Sequence, residues 1–483
     1  MRRTRIIATI GPSCDDRASI KSLLEAGVDV CRLNYSHGEP EHKTELYRLI
    51  RDIEDEIGRP TCIMADLPGP KLRLGTFPGV VMLHDGSEVR LHCGVADMEV
   101  TDGADLPVEY GGLSAELKVG DPVLLADGLI RLTVQSTSGS ANGTVVCVVE
   151  DGGPISSRKG VNVPGTLVDL PAVGEKDERA IRHALEHGAD YIAVSYVRSS
   201  EDLEPVTRAI TNASMHVPVM AKIEHPAALE NLESILDVAD AVMVARGDLG
   251  VEIPLENVPV VQQQIIDKAL ERGMPAIVAT QMLDSMTLQP RPTRAEVSDV
   301  STAIRHGATG VMLSAETASG NYPLEAVQTM AKIALATEQG LASHDSRPNA
   351  LARFRSTRAV AHAGVELAKE SDAARIVVAT EHGNAPRLVS GYRPTIPVTA
   401  VSDRLRALRR CCMLPGVDTI LSKEHSRGSQ TMKEAVEQLV IQGRVSPGQR
   451  VVAISGSPLA MRGATSTLRL YKIGADGEIL DAE

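Results

Sequence analysis

Two carboxylates and a lysine near the middle of the chain could hold a metal ion beside a reacting anion. Glu224 directly follows the apolar run 219–223, and Asp248 follows the run 241–245 at a distance of three residues. Lys222 lies two residues before Glu224, so both side chains leave a β-strand on the same side. Carboxylates with room for water suit Mg²⁺ or Mn²⁺. A neighbouring cation marks a place where negative charge builds up, as on a phosphoryl group or an enolate.

Polar side chains close almost every apolar run in this part of the chain. For any one of them a solvated rim position is an adequate interpretation, and Lys222 with Glu224 could be a plain ion pair. The whole set, which includes a lysine and several carboxylates, favours a functional site. Its members are Arg32, Asn34, Asp66, Ser195, Lys222, Glu224, Arg246, Asp248, Thr280, Ser314 and Glu316. Gly247 lets the backbone approach a ligand closely, and Arg32 and Arg73 could each bind phosphate with both arms of the guanidinium.

A repeated unit predicts how these side chains are positioned. Four times a polar helix end is followed by glycine and then by a buried strand, at Gly27, Gly188, Gly273 and Gly307. Glycine takes the left-handed position after a helix, and continuous apolar runs are typical of parallel strands. Eight such strands separated by amphipathic helices predict a (β/α)₈ TIM barrel, whose strand ends converge on one face. The predicted strands are 6–10, 28–34, 62–66, 191–195, 219–223, 241–245, 276–280 and 310–314. An open doubly wound sheet is the alternative, but no G-x-G-x-x-G turn follows a strand.

The barrel pattern is interrupted once and then ends. Short alternating runs separated by Asp-Gly and Asn-Gly turns fill residues 75–166 and predict a β-barrel-like domain inserted in the third βα loop. A domain inserted at that face is a candidate lid. After about residue 340, strands alternate with helices in a separate α/β pattern. We therefore predict a barrel of residues 1–70 and 167–340, a lid of residues 71–166, and a C-terminal α/β domain of residues 341–483 joined by a linker at 343–349.

The composition excludes several classes of function. The 483-residue chain has a formal net charge of −13, so it has no overall attraction for nucleic acid or anionic membranes. It has no Trp and only two Phe, which leaves little for stacking on bases. The apolar run after the N-terminal arginines is too short for a signal peptide, and no run is long enough to span a membrane. Seven cysteines without a C-x-x-C spacing indicate a reduced, cytoplasmic protein.

Ten segments of the chain resemble, in order, those of the pyruvate kinase family. They are IATIGPS at 7–13, RLNYSHG at 32–38, DLPGPKLR at 66–73, KGVNVPG at 159–165, DLPAV at 169–173, KIE at 222–224, MVARGDLG at 243–250, ATQML at 279–283, PRPTRAE at 290–296 and MLSAETA at 312–318. The resemblance implies a barrel with a β lid and a C-terminal α/β domain, usually assembled as a homotetramer. It also implies transfer of the phosphoryl group of phosphoenolpyruvate to ADP, giving ATP and pyruvate through a Mg²⁺-stabilised enolate, in the final step of glycolysis.

The resemblance also assigns roles to individual residues. Glu224 and Asp248 match the Mg²⁺ ligands, and Lys222 matches the residue that stabilises the transferring phosphoryl group. The phosphoenolpyruvate contacts match Arg32, Gly247, Asp248 and Thr280. The nucleotide contacts match Arg73, Lys159 from the lid and His37. Thr280, Ser314 and Glu316 lie where the family relays a proton to the enolate carbon.

One departure from the family concerns its monovalent cation. Many members bind K⁺ through Asn, Ser, Asp and a Thr carbonyl, and the matching positions here are Asn34, Ser36, Asp66 and Leu67. Lys71, however, stands where those members have an acid, and this exchange is typical of the family's K⁺-independent branch. The hypothesis is that the ammonium of Lys71 replaces K⁺, so that the enzyme requires Mg²⁺ or Mn²⁺ but no K⁺.

The C-terminal domain of this family binds a phosphorylated effector, and the matching loops here are 380–387 and 455–462. The first has fewer hydroxyls than usual and carries an acid, so AMP or a sugar monophosphate is a better fit than fructose 1,6-bisphosphate. Two other interpretations remain open from the sequence: another phosphoenolpyruvate barrel enzyme, and a non-catalytic effector-binding relative. The inserted β-domain argues against the first, and the presence of Lys222, Glu224 and Asp248 argues against the second.

Overall fold

The elements of the chain follow one another in three groups. The structure is a computed structural model and describes residues 2–100, 104–126, 128–166, 168–341, 355–423, 428–456 and 465–481. The strands of the first group and its insertion are β1 Arg5–Thr9, β2 Val30–Asn34, β3 Cys62–Asp66, β4 Val80–Leu83, β5 Glu88–Cys93, β6 Asp105–Val108, β7 Pro122–Leu125, β8 Ile130–Thr137, β9 Thr144–Asp151, β10 Gly153–Ser156 and β11 Val161–Asn162. Then come β12 Tyr191–Val194, β13 Val219–Ile223, β14 Ala241–Ala245, β15 Ala276–Ala279, β16 Gly310–Leu313, β17 Arg375–Ala379, β18 Val398–Ser402, β19 Val417–Leu421, β20 Arg450–Gly456, β21 Thr465–Ile473 and β22 Ile479–Asp481.

Helices alternate with the strands outside the insertion, and one short helix, α3, lies within it. They are α1 Arg17–Ala26, α2 Pro40–Ile57, α3 Leu113–Glu116, α4 Glu175–Glu186, α5 Glu204–Asn212, α6 Pro226–Glu230, α7 Leu232–Val238, α8 Arg246–Glu252, α9 Val258–Glu271, α10 Arg294–Arg305, α11 Ala315–Ala318, α12 Pro323–Gln339, α13 Arg355–Glu370, α14 Asn384–Gly391, α15 Leu405–Cys411 and α16 Gly428–Ile441. Among the described residues, no helix is both long enough and apolar enough to cross a bilayer.

The predicted parallel barrel is confirmed. Strands β1, β2, β3 and β12 to β16 pair in parallel around a closed ring in which β3 adjoins β12 across the insertion. The four glycines of the repeated unit all have positive φ, from +60° at Gly273 to +116° at Gly27. Each therefore ends its helix in the left-handed conformation that lets the chain turn into the next strand.

The inside of the barrel is filled by slender side chains because the chain has so few aromatic residues. Four methionines, Met64, Met220, Met243 and Met312, pack there with alanine, valine and isoleucine. Methionine adapts its shape to irregular gaps, so these side chains can pack around the ring of Tyr191 in the same cluster. Two residues that follow α15 in the C-terminal part, Cys412 and Met413, belong to the same buried cluster. The C-terminal part thus closes the floor of the barrel.

The insertion after β3 is a separate β structure with its own core. Its strands form an open six-stranded sheet in the order β11-β7-β8-β9-β5-β6, together with the two-stranded pair β10-β4. A single apolar cluster, which includes Leu91, Val123, Leu132 and Cys147, lies within it. Strands β4, β5, β7, β8 and β9 form from the short alternating runs of this segment, and β6, β10 and β11 are additional.

The C-terminal sheet has six strands in the order β19-β18-β17-β20-β21-β22. The first four are parallel and come from the segment predicted to alternate strands with helices, whereas β21 and β22 add an antiparallel edge that was not predicted. Helices α13, α14 and α15 cover one face, and α16 covers the other. The predicted linker at 343–349 lies outside the described residues.

A buried carboxylate joins this sheet domain to the barrel. Glu54 of α2 is only 2% exposed and accepts three hydrogen bonds of 2.6 to 2.9 Å from the guanidinium of Arg409 in α15. Arg51 and the backbone N–H of Thr61 also donate to Glu54. On the same floor, Arg5 donates to the carbonyls of Leu414 and Val417.

Removing the charge of Glu54 should destabilise the whole chain. Glu54→Gln leaves Arg409 without its anionic partner, and breaking a buried pair in this way costs about 3 kcal/mol or more. We expect a clearly lower thermal midpoint by calorimetry.

Glu56 of the same helix is the matched control. It pairs with Arg17 and Lys21 at the surface, where an ion pair contributes about 0–1 kcal/mol. If Glu54→Gln and Glu56→Gln unfold at the same temperature, Glu54 does not hold the two domains together.

Candidate functional site

Four charged side chains meet at the carboxyl ends of β2, β3 and β13. Asp66 accepts a 2.6 Å hydrogen bond from Nε of Arg32 through one oxygen, and its other oxygen lies 3.2 Å from Nζ of Lys222. That ammonium also lies 3.1 Å from Oε1 of Glu224 and donates a 2.7 Å hydrogen bond to the hydroxyl of Ser195. Asp66 and Glu224 are each 1% exposed. The structure thus brings together, away from water, residues that stand up to 192 positions apart in sequence.

These charges control one another's protonation. Burial alone would lower the pKa of Lys222, but the carboxylates of Asp66 and Glu224 raise it above its ordinary value. Burial alone would raise the pKa of Asp66, but Arg32 and Lys222 lower it. Lys222 and Asp66 are therefore both charged at neutral pH, and the ammonium of Lys222 can bind an anionic ligand.

Glu224 is the member of the cluster whose charge is least compensated. Burial raises its pKa, and the charge of Asp248 raises it further, against the effect of Lys222. Its Oε2 accepts a 2.8 Å hydrogen bond from the backbone N–H of Tyr196. Its Oε1 is buried and accepts no hydrogen bond of good geometry, although Lys222 is close. A buried oxygen with a free lone pair beside a second carboxylate fits a divalent cation.

Asp248 stands at the start of α8, directly after β14 and Arg246-Gly247. Its side chain is 32% exposed, and one of its oxygens lies 4.0 Å from Nζ of Lys71. Gly247 donates its backbone N–H to Oγ1 of Thr280 at 2.7 Å, which ties the turn to the end of the next strand. The carboxylate of Asp248 therefore faces the opening of the barrel from a fixed turn.

Thr280 is held in a strained conformation. Its φ is +70°, and that of Gln281 is +54°, a region that branched side chains rarely occupy. Arg246 binds the carbonyl of Thr280 at 2.8 Å while its other nitrogen takes both oxygens of Asp299. The ion pair with Asp299 thus fixes Arg246, which in turn holds the backbone of Thr280. Backbone strain of this kind is common at functional sites, where a side chain must keep one orientation.

Ser314 and Glu316 follow the last barrel strand. The carboxylate of Glu316 is 1% exposed and accepts hydrogen bonds from the backbone N–H groups of Leu283 and Ser314. The hydroxyl of Ser314 is buried and has no hydrogen-bond partner among the described residues. A free hydroxyl beside a fixed carboxylate can pass a proton to a bound ligand.

The residues predicted to contact a nucleotide lie at the rim. Arg73 donates to the carbonyl of Arg158, next to Lys159 in the returning strand of the insertion. Lys159 and His37 are exposed. Burial and the nearby cations Arg73, Arg32, Lys43 and Lys71 lower the pKa of His37. The structure therefore gathers positive charge on this side of the opening.

Three of the four positions that match a monovalent cation site, Asn34, Asp66 and Leu67, already have protein partners. The side-chain oxygen of Asn34 accepts the backbone N–H of Ser36 at 3.0 Å, and the carbonyl of Leu67 accepts the hydroxyl of Ser195 at 2.8 Å. Both oxygens of Asp66 face Arg32 or Lys222. The ammonium of Lys71 lies 4.0 Å from an oxygen of Asp248.

Three residues beside the cluster were not predicted. The backbone of Tyr196 binds Glu224, and the phenol of Tyr196 lies 3.4 Å from Nδ2 of Asn162 in the insertion. Asn162 also donates to Glu252 at the end of α8. Burial and the charge of Asp248 raise the pKa of Glu252 to about 7, against the effect of Asn162. No spacing in the sequence marks these residues, because their meeting depends on how the insertion folds back.

Fold and site together are typical of barrel enzymes that bind an anionic substrate beside a divalent metal. A family model of the pyruvate kinase barrel domain matches residues 1–327, and a model of the pyruvate kinase alpha/beta domain matches residues 358–471. Pyruvate kinases of Geobacillus stearothermophilus and Mycobacterium intracellulare are each 39% identical over 98% of this chain, and the matches span 80% and 99% of their lengths.

A solved structure shows the same architecture. The crystal structure of a pyruvate kinase from Cryptosporidium parvum superposes with a TM-score of 0.90 and 31% identity, and covers 98% of this chain and 96% of its own. The chain belongs to the pyruvate kinase family. It is a phosphotransferase with pyruvate kinase activity, and its family uses a divalent metal.

The raised pKa of Glu252 predicts a pH-dependent stability. A carboxyl whose folded pKa is about 7, against an ordinary value of 4.5, binds its proton more tightly in the folded chain. The stabilisation is complete below the ordinary value and is lost as the pH rises towards 7. The amide of Glu252→Gln cannot ionise, so this variant should keep the stabilisation at high pH. At pH 8 its free energy of unfolding should exceed that of the wild type by about 1–3 kcal/mol.

Thermal unfolding at pH 5 and pH 8, with EDTA present, measures this difference. Glu256→Gln, on the exposed turn that follows, is the control. A difference between Glu252→Gln and wild type that stays constant with pH would mean that Glu252 ionises normally.

Proposed function

We propose that the chain transfers the phosphoryl group of phosphoenolpyruvate to ADP at this strand-end site. The observation that carries the proposal is the ammonium of Lys222, which is buried among Asp66, Glu224 and Ser195 and held there by contacts of 2.7 to 3.2 Å. A loose phosphoryl-transfer transition state needs fixed cations and alignment more than covalent help. Lys222 supplies a cation whose position and charge are set before the substrate arrives.

Glu224 and Asp248 are the proposed ligands of Mg²⁺ or Mn²⁺. Two features support this assignment: Oε1 of Glu224 is buried without a hydrogen bond of good geometry, and the carboxylate of Asp248 is partly exposed. The metal, when bound, supplies positive charge to the phosphate and enolate oxygens. Arg32 and the Gly247 turn would orient the substrate, since Arg32 is fixed by Asp66 and Thr9 and keeps a further nitrogen for phosphate.

The enolate left after transfer must gain a proton at carbon. We assign this step to the side of the site formed by Thr280, Ser314 and Glu316. Arg246 fixes the backbone of Thr280 through a hydrogen bond to its carbonyl. The hydroxyl of Ser314 has no hydrogen-bond partner among the described residues and can transfer a proton. Glu316 holds Ser314 in place by accepting a hydrogen bond from its backbone N–H. The chain of hydroxyls would keep the proton path short and shielded from bulk water.

The nucleotide is proposed to bind between the insertion and the barrel. Arg73 and Lys159 would hold its phosphates, and His37 would contact the adenine side. The cations that lower the pKa of His37 support an anionic ligand on this side. We propose that residues 71–166 act as the lid, residues 1–70 and 167–340 as the catalytic barrel, and residues 341–483 as the regulatory domain.

We further propose that the enzyme works without K⁺. The oxygens of Asn34, Asp66 and Leu67 have protein partners, and Lys71 offers a fixed ammonium 4.0 Å from Asp248. An ammonium at that place can balance the charge of Asp248 and of a bound phosphate.

Assembly and regulation are proposed from the family. We expect a cytoplasmic homotetramer that responds to AMP or a sugar monophosphate. In the first effector loop, Thr380 caps Gly383 and the acid Glu381 is paired with Arg404 at 2.6 Å, which reduces its repulsion of phosphate. Most of the second loop, residues 457–462, lies outside the described residues.

Lys222 should be indispensable for turnover. Lys222→Met keeps the volume but removes the cation, and loss of one such group lowers kcat by about 10²–10³ or more. A lactate dehydrogenase-coupled assay with phosphoenolpyruvate, ADP and Mg²⁺ measures this. Lys268→Met, an exposed lysine of α9, should be unaffected.

In the same assay EDTA should abolish activity, and excess Mg²⁺ should restore it. Glu224→Gln should require about 10–100 times more Mg²⁺ for half activation. Absence of ADP-dependent pyruvate formation by the wild type would overturn the proposed reaction, and full activity in Lys222→Met would overturn the assigned role.

The proposal on K⁺ has a direct test. In Tris buffer, added KCl should change wild-type activity by less than about twofold, because the cation is built into the chain. Lys71→Glu should be nearly inactive without KCl and recover with it. A large stimulation of the wild type by KCl, with NaCl as the ionic-strength control, would contradict the proposal.

A further inference from the structure

A cavity of about 60 Å³ lies where the insertion leaves and rejoins the barrel. The outgoing chain lines it with Pro70 and Leu72, and the returning chain lines it with Val161, Asn162, Val163, Thr166, Val168 and Leu170. The barrel side consists of Tyr196, Arg198, His225 and Glu252. The cavity therefore lies beside both chain connections between the insertion and the barrel.

Glu252 is the buried acid of the cavity, and the mechanism does not use it. Its Oε1 accepts a long hydrogen bond of 3.4 Å from Asn162, whereas its Oε2 is buried without a hydrogen-bond partner among the described residues. The nearest cationic candidate, Nε2 of His225, is 3.9 Å away. Burial and the charge of Arg198 lower the pKa of His225, so this ring is neutral at pH 7 and provides no ion pair.

Asn162 is the residue of the insertion that this acid contacts. It lies in β11, three positions after Lys159, and the strand between them is held by hydrogen bonds from Val161 to Leu72 and from Leu74 to Lys159. Asn162 also reaches the phenol of Tyr196, whose backbone binds Glu224. One amide thus connects strand β11, which begins two residues after Lys159, to Tyr196 and Glu252 of the barrel.

We propose that Glu252 is a positioning residue for nucleotide binding. Through Asn162 it fixes the strand β11 against the barrel and so sets the place of Lys159 above the strand-end site. It touches neither substrate in this arrangement and acts through the insertion. The inference rests on the proposed nucleotide role of Lys159.

The test is a double-mutant cycle in the full-length enzyme. Glu252→Leu and Asn162→Leu each remove the hydrogen bond at similar volume, and each should raise KM for ADP by roughly three- to tenfold with KM for phosphoenolpyruvate within about twofold. Because both act on one contact, the double variant should be no worse than the poorer single variant. Glu252→Gln keeps an oxygen that accepts from Asn162 and should restore KM for ADP.

Two controls separate this role from general damage. Glu256→Leu removes an exposed carboxylate four residues away and should leave both KM values unchanged. Lys159→Met tests the underlying assignment: if it leaves KM for ADP unchanged, the nucleotide role of Lys159 is wrong. If Lys159→Met raises KM for ADP but Glu252→Leu does not, the positioning role alone is wrong. Additive effects in the cycle, or an equal rise of both KM values in Glu252→Leu, would also overturn it.

Discussion

The structure depends on one constraint: two carboxylates and two cations share a nearly dry space at the ends of three parallel strands. Any one of Arg32, Asp66, Lys222 and Glu224 would be costly to bury alone. Together their charges balance, and one oxygen each of Asp66 and Glu224 lies close to Lys222 without a hydrogen bond of good geometry. The closed barrel makes this arrangement achievable, since parallel strands around a ring deliver their carboxyl ends to one place.

Much of this could be predicted from sequence because it follows local rules. Gly27, Gly188, Gly273 and Gly307 mark the ends of helices by the conformation that only glycine takes easily, and continuous apolar runs mark buried strands. The candidate residues at the strand ends could be predicted because each one lies within such a run or at most three residues after it. Once the barrel is assumed, neighbouring positions in space follow without further information.

What could not be predicted depends on contacts between distant segments. Strand β11 has two residues, too few to show a pattern, yet it brings Asn162 to Glu252 across 90 positions. The positive φ of Thr280 is imposed by Arg246 and Asp299, and a threonine gives no sign of it in the sequence. The antiparallel edge β21–β22 follows four parallel strands, and nothing in its composition distinguishes it from another parallel pair. Local propensity decides the elements, and tertiary packing decides these exceptions.

The closure of the barrel floor by Cys412 and Met413 has a consequence for how the chain folds during synthesis. The interior of the barrel is completed by Cys412 and Met413, which are synthesised some seventy residues after α12, the last barrel helix, has ended. During translation the eight strands can pair, but their floor is open to water until the C-terminal domain docks. Because domains generally fold in the order of their synthesis, we expect the barrel strands to pair before the floor is closed. A truncated product would be left in that stage, with apolar methionines exposed to whatever else is present in the cell.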